Sequence, residues 1–128
     1  MISIYIRASK GLSWPTGTYA ILKDDEQLVL HTHKYPYANT TDVTLLTTSA
    51  ALRALKSLGY VGADVFMSSD LGVRLLNGYT SPSQSTINII NEIRELEKDL
   101  HVTYLSTLPT KVKEKCPLRG WNKKLTRN

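Results

Sequence analysis

A single α/β domain built on a five-stranded mixed sheet is what this sequence predicts: three antiparallel strands, then two parallel crossovers, with helices packed on the sheet. Three observations carry it. Apolar and polar side chains alternate with a period of two in three early segments, before any helical period begins. A helical period then runs over residues 45–58 and leads into an apolar strand at 63–69. A second amphipathic helix leads into a further alternating segment at 101–108. Strand–helix–strand passages of this kind close as right-handed parallel crossovers beside the meander.

Taken in order, Ile2, Ile4 and Ile6 alternate with Ser3, Tyr5 and Arg7, which gives a strand one face of which meets the core. Residues 11–17, with Pro15 between two glycines, form a turn-rich connection. Residues 18–22 are the second strand, Asp24, Asp25, Glu26 and Gln27 supply the turn, and residues 27–33 return as the third strand. Thr40, Thr41 and Asp42 form a cluster able to cap the first helix, on which Leu45, Ala51, Leu52 and Leu55 fall at helical spacing until Gly59 stops it. Residues 72–77 make a short helical turn closed by Gly78. Ser81-Pro82 opens what reads as the longest helix, with Ile87, Ile90, Ile93, Leu96 and Leu100 on one face. Glu92, Arg94, Glu95, Glu97 and Lys98 on its other face read as solvated, and Pro109 ends the last strand.

At 128 residues the chain is long enough to bury a core without staples. The lone Cys116 excludes an intrachain disulfide and is too little for a zinc site, so a reducing, cytoplasmic setting is expected. No apolar run approaches the ~20 residues needed to cross a bilayer. Residues 1–7 lack the apolar stretch of a signal peptide, so neither membrane insertion nor export is expected.

The formal net charge of +5 is unevenly placed. Residues 111–128 hold Lys111, Lys113, Lys115, Arg119, Lys123, Lys124 and Arg127 against the single acid Glu114, which leaves the rest close to neutral. The chain therefore divides into a domain at 1–110 and a basic C-terminal tail at 111–128. That tail reads either as a grip for a polyanion, acting by counterion release, or as a solvated terminus in which Trp121 or Leu125 docks.

The stretch that bears most on chemistry is Asp64-Val65-Phe66-Met67-Ser68-Ser69-Asp70. A carboxylate at the end of a buried strand is a usual seat for a metal-binding acid, and Asp70 occupies it. Asp70 also reads as a helix N-cap before Leu71.

With Arg7-Ala8-Ser9 at the first strand's end, Thr18-Tyr19-Ala20-Ile21-Leu22 in the second, and Thr44-Leu45 and Ala51-Leu52-Arg53-Ala54-Leu55 in the first helix, the chain resembles the ribonuclease H family. Ser69-Asp70 matches the close of the family's next strand, and the element order is the most specific part of the likeness. The resemblance implies a ribonuclease H-like fold and, in its enzymes, two magnesium ions held by four carboxylates. Carried over position by position, only Asp70 keeps its acid. Arg7 stands at the first position, Thr44 at the second and Asn122 at the last, so these four are vestigial and no cofactor or metal is expected, because Mg²⁺ needs anionic oxygen ligands. A direct Arg7–Asp70 ion pair is the expected replacement, since unit charges at about 4 Å attract by ~4 kcal/mol at an effective dielectric near 20.

Three function classes follow. The first is a non-catalytic binder of RNA/DNA hybrid or duplex RNA. In it, Asn39, Thr40 and Thr41 stand where the family meets the minor groove, and the tail lysines and arginines hold phosphate. The second is a protein-interaction or inhibitor module. The third is a residual metal-dependent nuclease that borrows Asp64 or Asp42. An eroded site on a short chain would suit a viral or mobile-element protein. Other features rank lower. His31 and His33 share a strand face at chelating spacing but lack a third ligand. Ser9, Ser68 and Ser69 have no nucleophile elbow. Cys116 has basic neighbours that lower a thiol pKa, though an ordinary free thiol is the simpler reading. Trp14 is either a stacking aromatic or a loop anchor.

Overall fold

The computed structural model of the chain describes residues 1–10 and 14–117. Its strands are β1 (Ile2–Ser9), β2 (Thr16–Lys23), β3 (Glu26–Lys34), β4 (Gly62–Met67) and β5 (His101–Ser106), and its helices α1 (Thr40–Ser57), α2 (Asp70–Leu76), α3 (Gln84–Glu97) and α4 (Pro109–Lys115). The sheet order is β3-β2-β1-β4-β5. The first three strands pair antiparallel, and β4 and β5 add to β1 in parallel. The predicted topology is the one found. The expected four-residue turn shrinks to two residues: Asp24 and Asp25 take φ of 51° and 70°, the left-handed pair that a type I′ hairpin requires.

Alternation along β1 divides the molecule into two cores. Ile2, Ile4 and Ile6 join Ile21, Val65 and Met67 under α1, α2 and α3. Tyr5 turns the other way, with Ala20, Leu22, Phe66, Val112 and Cys116. Leu45, Leu52 and Leu55 of α1 are completely buried in the larger core, at about 1.5–3 kcal/mol each relative to exposure. The same helix buries Thr44, Thr47, Thr48 and Ser49. It does so cheaply, because the three threonine hydroxyls donate to the carbonyls of Thr40, Val43 and Thr44, each four residues back.

Gly17 fixes how closely α1 approaches the sheet. A Cβ built there would fall 1.8 Å from Thr47 Oγ1 and 3.0 Å from a Tyr35 ring carbon, so only hydrogen fits. Where α1 ends, Gly59 accepts the left-handed turn at φ 87°.

Several boundaries differ from the sequence expectation. The cap of α1 is Asn39, whose Oδ1 accepts from Asp42 N at 2.7 Å, while Thr40, Thr41 and Asp42 lie inside the helix. At 18 residues α1, not α3 with its 14, is the longest helix. Pro109 ends no strand directly but opens α4, where its missing N–H costs nothing. The boundary placed at 110/111 therefore falls within a helix whose Val112 is docked on the sheet.

The charged face of α3 is not simply solvated. Glu92 accepts from Ser49 Oγ at 2.6 Å and from Arg53 at 2.8 Å, tying α3 to α1. Arg94 holds Glu97 at 2.9 Å and donates to the Leu76 carbonyl at 2.6 Å. The Tyr104 hydroxyl donates to Glu97, and burial followed by that bond pushes its pKa up. Among the described residues no helix is long and apolar enough to cross a membrane.

Candidate functional site

Because β1, β3, β4 and β5 all run in one direction, their C-terminal ends lie together, and α1, α2 and α4 start from that same end. The topology thus gathers Arg7, residues 39–44 and Asp70 from distant stretches of sequence. A groove of about 280 Å³ opens there, lined by Asn39, Thr40 and Thr41, by Leu71 and Leu75 of α2, and by Ser81, Pro82, Ser83 and Thr86. Its polar wall is braced. Thr86 Oγ1 donates to Asp42 Oδ1 at 2.9 Å, and Ser83 Oγ lies 2.8 Å from the same hydroxyl, which locks the start of α3 to the start of α1. The first turn of α1 adds its partial positive charge beside the groove.

Charge at this end is unspent. Register sets Lys34 and Ser9 level on either side of Thr16, so Lys34 and Lys10 both fall at this end of the sheet with β2 between their strands. Neither forms an ion pair among the described residues, whereas at other points of the molecule Lys56 pairs with Asp99 at 3.6 Å and Lys115 with Asp25 at 3.8 Å. Lys111 and Lys113 are exposed on α4 and unpaired among the described residues, but Lys115 is engaged with Asp25. Arg119, Asn122, Lys123, Lys124 and Arg127 lie outside the described residues.

The expected Arg7–Asp70 ion pair does not form. Arg7 shares the face of Tyr5, and its Nη1 donates to the Cys116 carbonyl at 2.9 Å, capping the C-terminal end of α4. Asp70 accepts instead from Ser106 Oγ at 3.1 Å, across to the end of β5. The physical reason is α4: by docking against β1 it offers the guanidinium a carbonyl on its own face of the sheet. The cap before Leu71 is also reassigned, since Ser69 accepts from Gly72 N at 3.0 Å and Asp70 is the first helical residue.

Thr44 is buried with its hydroxyl turned back to the Thr40 carbonyl at 3.0 Å, so it presents no oxygen to the site. A guanidinium, a buried hydroxyl and one carboxylate are not a donor set for a hard divalent cation. Among the described residues no group of three or more His, Cys, Asp or Glu side chains is arranged to hold a metal ion.

The remaining candidates separate clearly. The His31 and His33 rings stack 6.4 Å apart on the exposed edge strand, flanked by Tyr19 at 5.5 Å and Tyr35 at 4.8 Å. Cys116 is fully buried, and burial pushes its thiol up to about 12 against the lowering effect of Arg7, so the basic neighbours do not activate it. Trp14 meets Tyr37 edge-on at 5.4 Å. Two features escaped sequence reasoning. The spacing of Val112 and Cys116, four apart after Pro109, signals an apolar helix stripe that a reading dominated by lysines hid. Tyr37 carried no pattern at all.

Solved structures place this architecture. The crystal structure of ribonuclease H1 from the halophilic archaeon Halobacterium salinarum NRC-1 superposes with a TM-score of 0.81 at 13% identity, covering 90% of both chains. LC11-RNase H1 in complex with an RNA/DNA hybrid gives 0.81 at 15% identity, covering 90% of this chain and 91% of that one. The N-terminal ribonuclease H domain of a Mycobacterium tuberculosis protein gives 0.79 at 15% identity, covering 90% and 92%. The fold is ribonuclease H-like. No protein-family model matches the sequence, and no curated protein matches it. Likeness at these identities is one of backbone, so what the ribonuclease H-like frame does here rests on the residues set into it. Of the four positions that the resemblance aligns with magnesium-holding carboxylates, Arg7, Thr44 and Asp70 bring one carboxylate between them, a poor fit to two such ions, and Asn122 lies outside the described residues.

Proposed function

We propose that this chain is a non-catalytic nucleic-acid-binding domain that takes an RNA/DNA hybrid or duplex RNA across the C-terminal ends of its strands. The observation that carries the reading is the contrast within one surface. At the positions that the resemblance aligns with metal-holding acids, Arg7 and Thr44 are committed to internal hydrogen bonds. The adjoining wall of Asn39, Thr40 and Thr41 keeps an open, braced groove of small polar groups. Hydroxyls and an amide at that spacing suit sugar hydroxyls in a wide, shallow minor groove, which is how duplex RNA is read by shape.

Lys10, Lys34, Lys111 and Lys113 supply unpaired charge for phosphates, and each phosphate neutralised releases counterion and steepens the salt dependence. A solved protein of the same backbone is in complex with an RNA/DNA hybrid. The Arg7 bond to the Cys116 carbonyl then serves to hold α4, and with it Lys111 and Lys113, beside the strand ends.

Fluorescence anisotropy with RNA/DNA hybrid, duplex RNA and single strands at low and moderate salt tests this. The expected result is saturable binding of hybrid or duplex RNA that weakens steeply with salt, unchanged by Mg²⁺ and without strand cleavage. Absence of binding at low salt would overturn it in favour of a protein-docking role. Mg²⁺-dependent cleavage would overturn it in favour of a nuclease.

A further inference from the structure

Tyr37 is 92% exposed, yet its backbone sits at φ 68°. Pro36 precedes it, and Ala38 N donates to the Tyr35 carbonyl at 3.4 Å. This is the pattern of a type II turn, whose third residue takes a positive φ and is ordinarily glycine. A bulky side chain there strains the chain, and burial does not compensate, because almost none of the ring is covered. Its aromatic neighbour is Trp14, itself 38% exposed, which meets it at an interplanar angle of 66°. That edge-on contact braces a ring that stays almost wholly exposed. Tyr37 is therefore not placed for the stability of the fold.

Position and charge say what the open ring meets. Tyr37 lies two residues before Asn39, the first residue of the groove, and three after the unpaired Lys34. Bases inside a duplex are already stacked on one another, so an aromatic face beside a duplex site finds a base to stack on only where that stack is interrupted. We propose that Tyr37, braced by Trp14, stacks on an unpaired base where duplex gives way to single strand. On this inference the ligand is a duplex carrying a single-stranded tail or gap rather than a continuous helix. It rests on the nucleic-acid reading above and narrows it.

The test compares a blunt RNA/DNA hybrid with the same hybrid bearing an unpaired tail, for the wild type, Tyr37→Gly and Tyr37→Phe. The wild type and Tyr37→Phe are expected to bind the tailed hybrid at least about fivefold more tightly than the blunt one, the low end of a base–aromatic stack. Tyr37→Gly is expected to lose that preference while binding the blunt hybrid unchanged. It should melt no lower than the wild type, because glycine suits the turn. A Tyr37→Gly protein that keeps the preference, loses affinity equally for both hybrids or melts lower overturns the inference alone, as does a wild type that binds both hybrids equally. A wild type that binds neither overturns the nucleic-acid reading with it.

Discussion

Replacing Gly17 by alanine tests the close approach that sets α1, and hence the groove wall, against the sheet. The new Cβ would fall 1.8 Å from Thr47 Oγ1 and 3.1 Å from Thr47 Cβ. An ordinary C···O contact is about 3.3–3.6 Å, so either Thr47 or the whole helix must move by more than an ångström. Thr47 cannot simply rotate away. It is 1% exposed, and its hydroxyl donates to the Val43 carbonyl at 2.6 Å. Overpacking of a tight core costs about 1–3 kcal/mol, and a stranded buried hydroxyl adds about 1 kcal/mol or more. The expected loss is therefore roughly 2–4 kcal/mol. For a domain of this size, at some 3–5 °C per kcal/mol, thermal unfolding followed by circular dichroism should fall by roughly 6–20 °C. Adding Thr47→Ala removes the worst clash, Thr47 Oγ1, while Thr47 Cβ and the Tyr35 ring stay close, so the double variant should recover part of the loss, with a coupling of at least about 1 kcal/mol. A single variant that melts within about 2 °C of the wild type, or strictly additive effects, would refute the reasoning.

Asn39→Ala removes the side chain that caps α1 and should cost about 1 kcal/mol in urea unfolding, with weaker duplex binding because the same residue lines the groove. Reversing Lys111 and Lys113 together to glutamate should lower the salt slope of hybrid binding by about two while leaving the melting temperature nearly unchanged, since both are exposed. Cys116 should resist a thiol reagent at pH 8 in the folded protein and react at once in denaturant. Burial raises its pKa from 9.0 to about 12, and Tyr104 is raised likewise from 10.0. Both groups hold their protons more tightly folded than unfolded. Their contribution is complete below pH 9 and is lost as the pH climbs toward 12, so the urea midpoint should decline over that window.

The sheet was legible because its strands obey a two-residue period that packing requires: an odd shift of β1 would turn Ile2, Ile4 and Ile6 away from the larger core and onto the face of Tyr5. The ends of helices were less so. Thr40, Thr41 and Asp42 all suit a cap, and only the backbone at Asn39 decides among the neighbours. The charged face of α3 gave no hint of which residues reach a neighbour, since Glu92 and Glu95 are alike in sequence while Glu92 alone meets Ser49 and Arg53. At the site, the absence of acids at 7 and 44 was readable, but not the partner that either side chain found. Arg7 bonds a carbonyl 109 residues away. That contact depends on how α4 docks, a matter of tertiary packing that local pattern does not encode.

The docking of α4 also has a consequence in time. Val112 and Cys116 cover a patch whose other members, Tyr5, Ala20, Leu22 and Phe66, are all made far earlier in synthesis. Until the last of these residues leaves the ribosome, one side of the nascent sheet stays greasy and bare. A chain stopped after Ser106 would keep that side uncovered permanently.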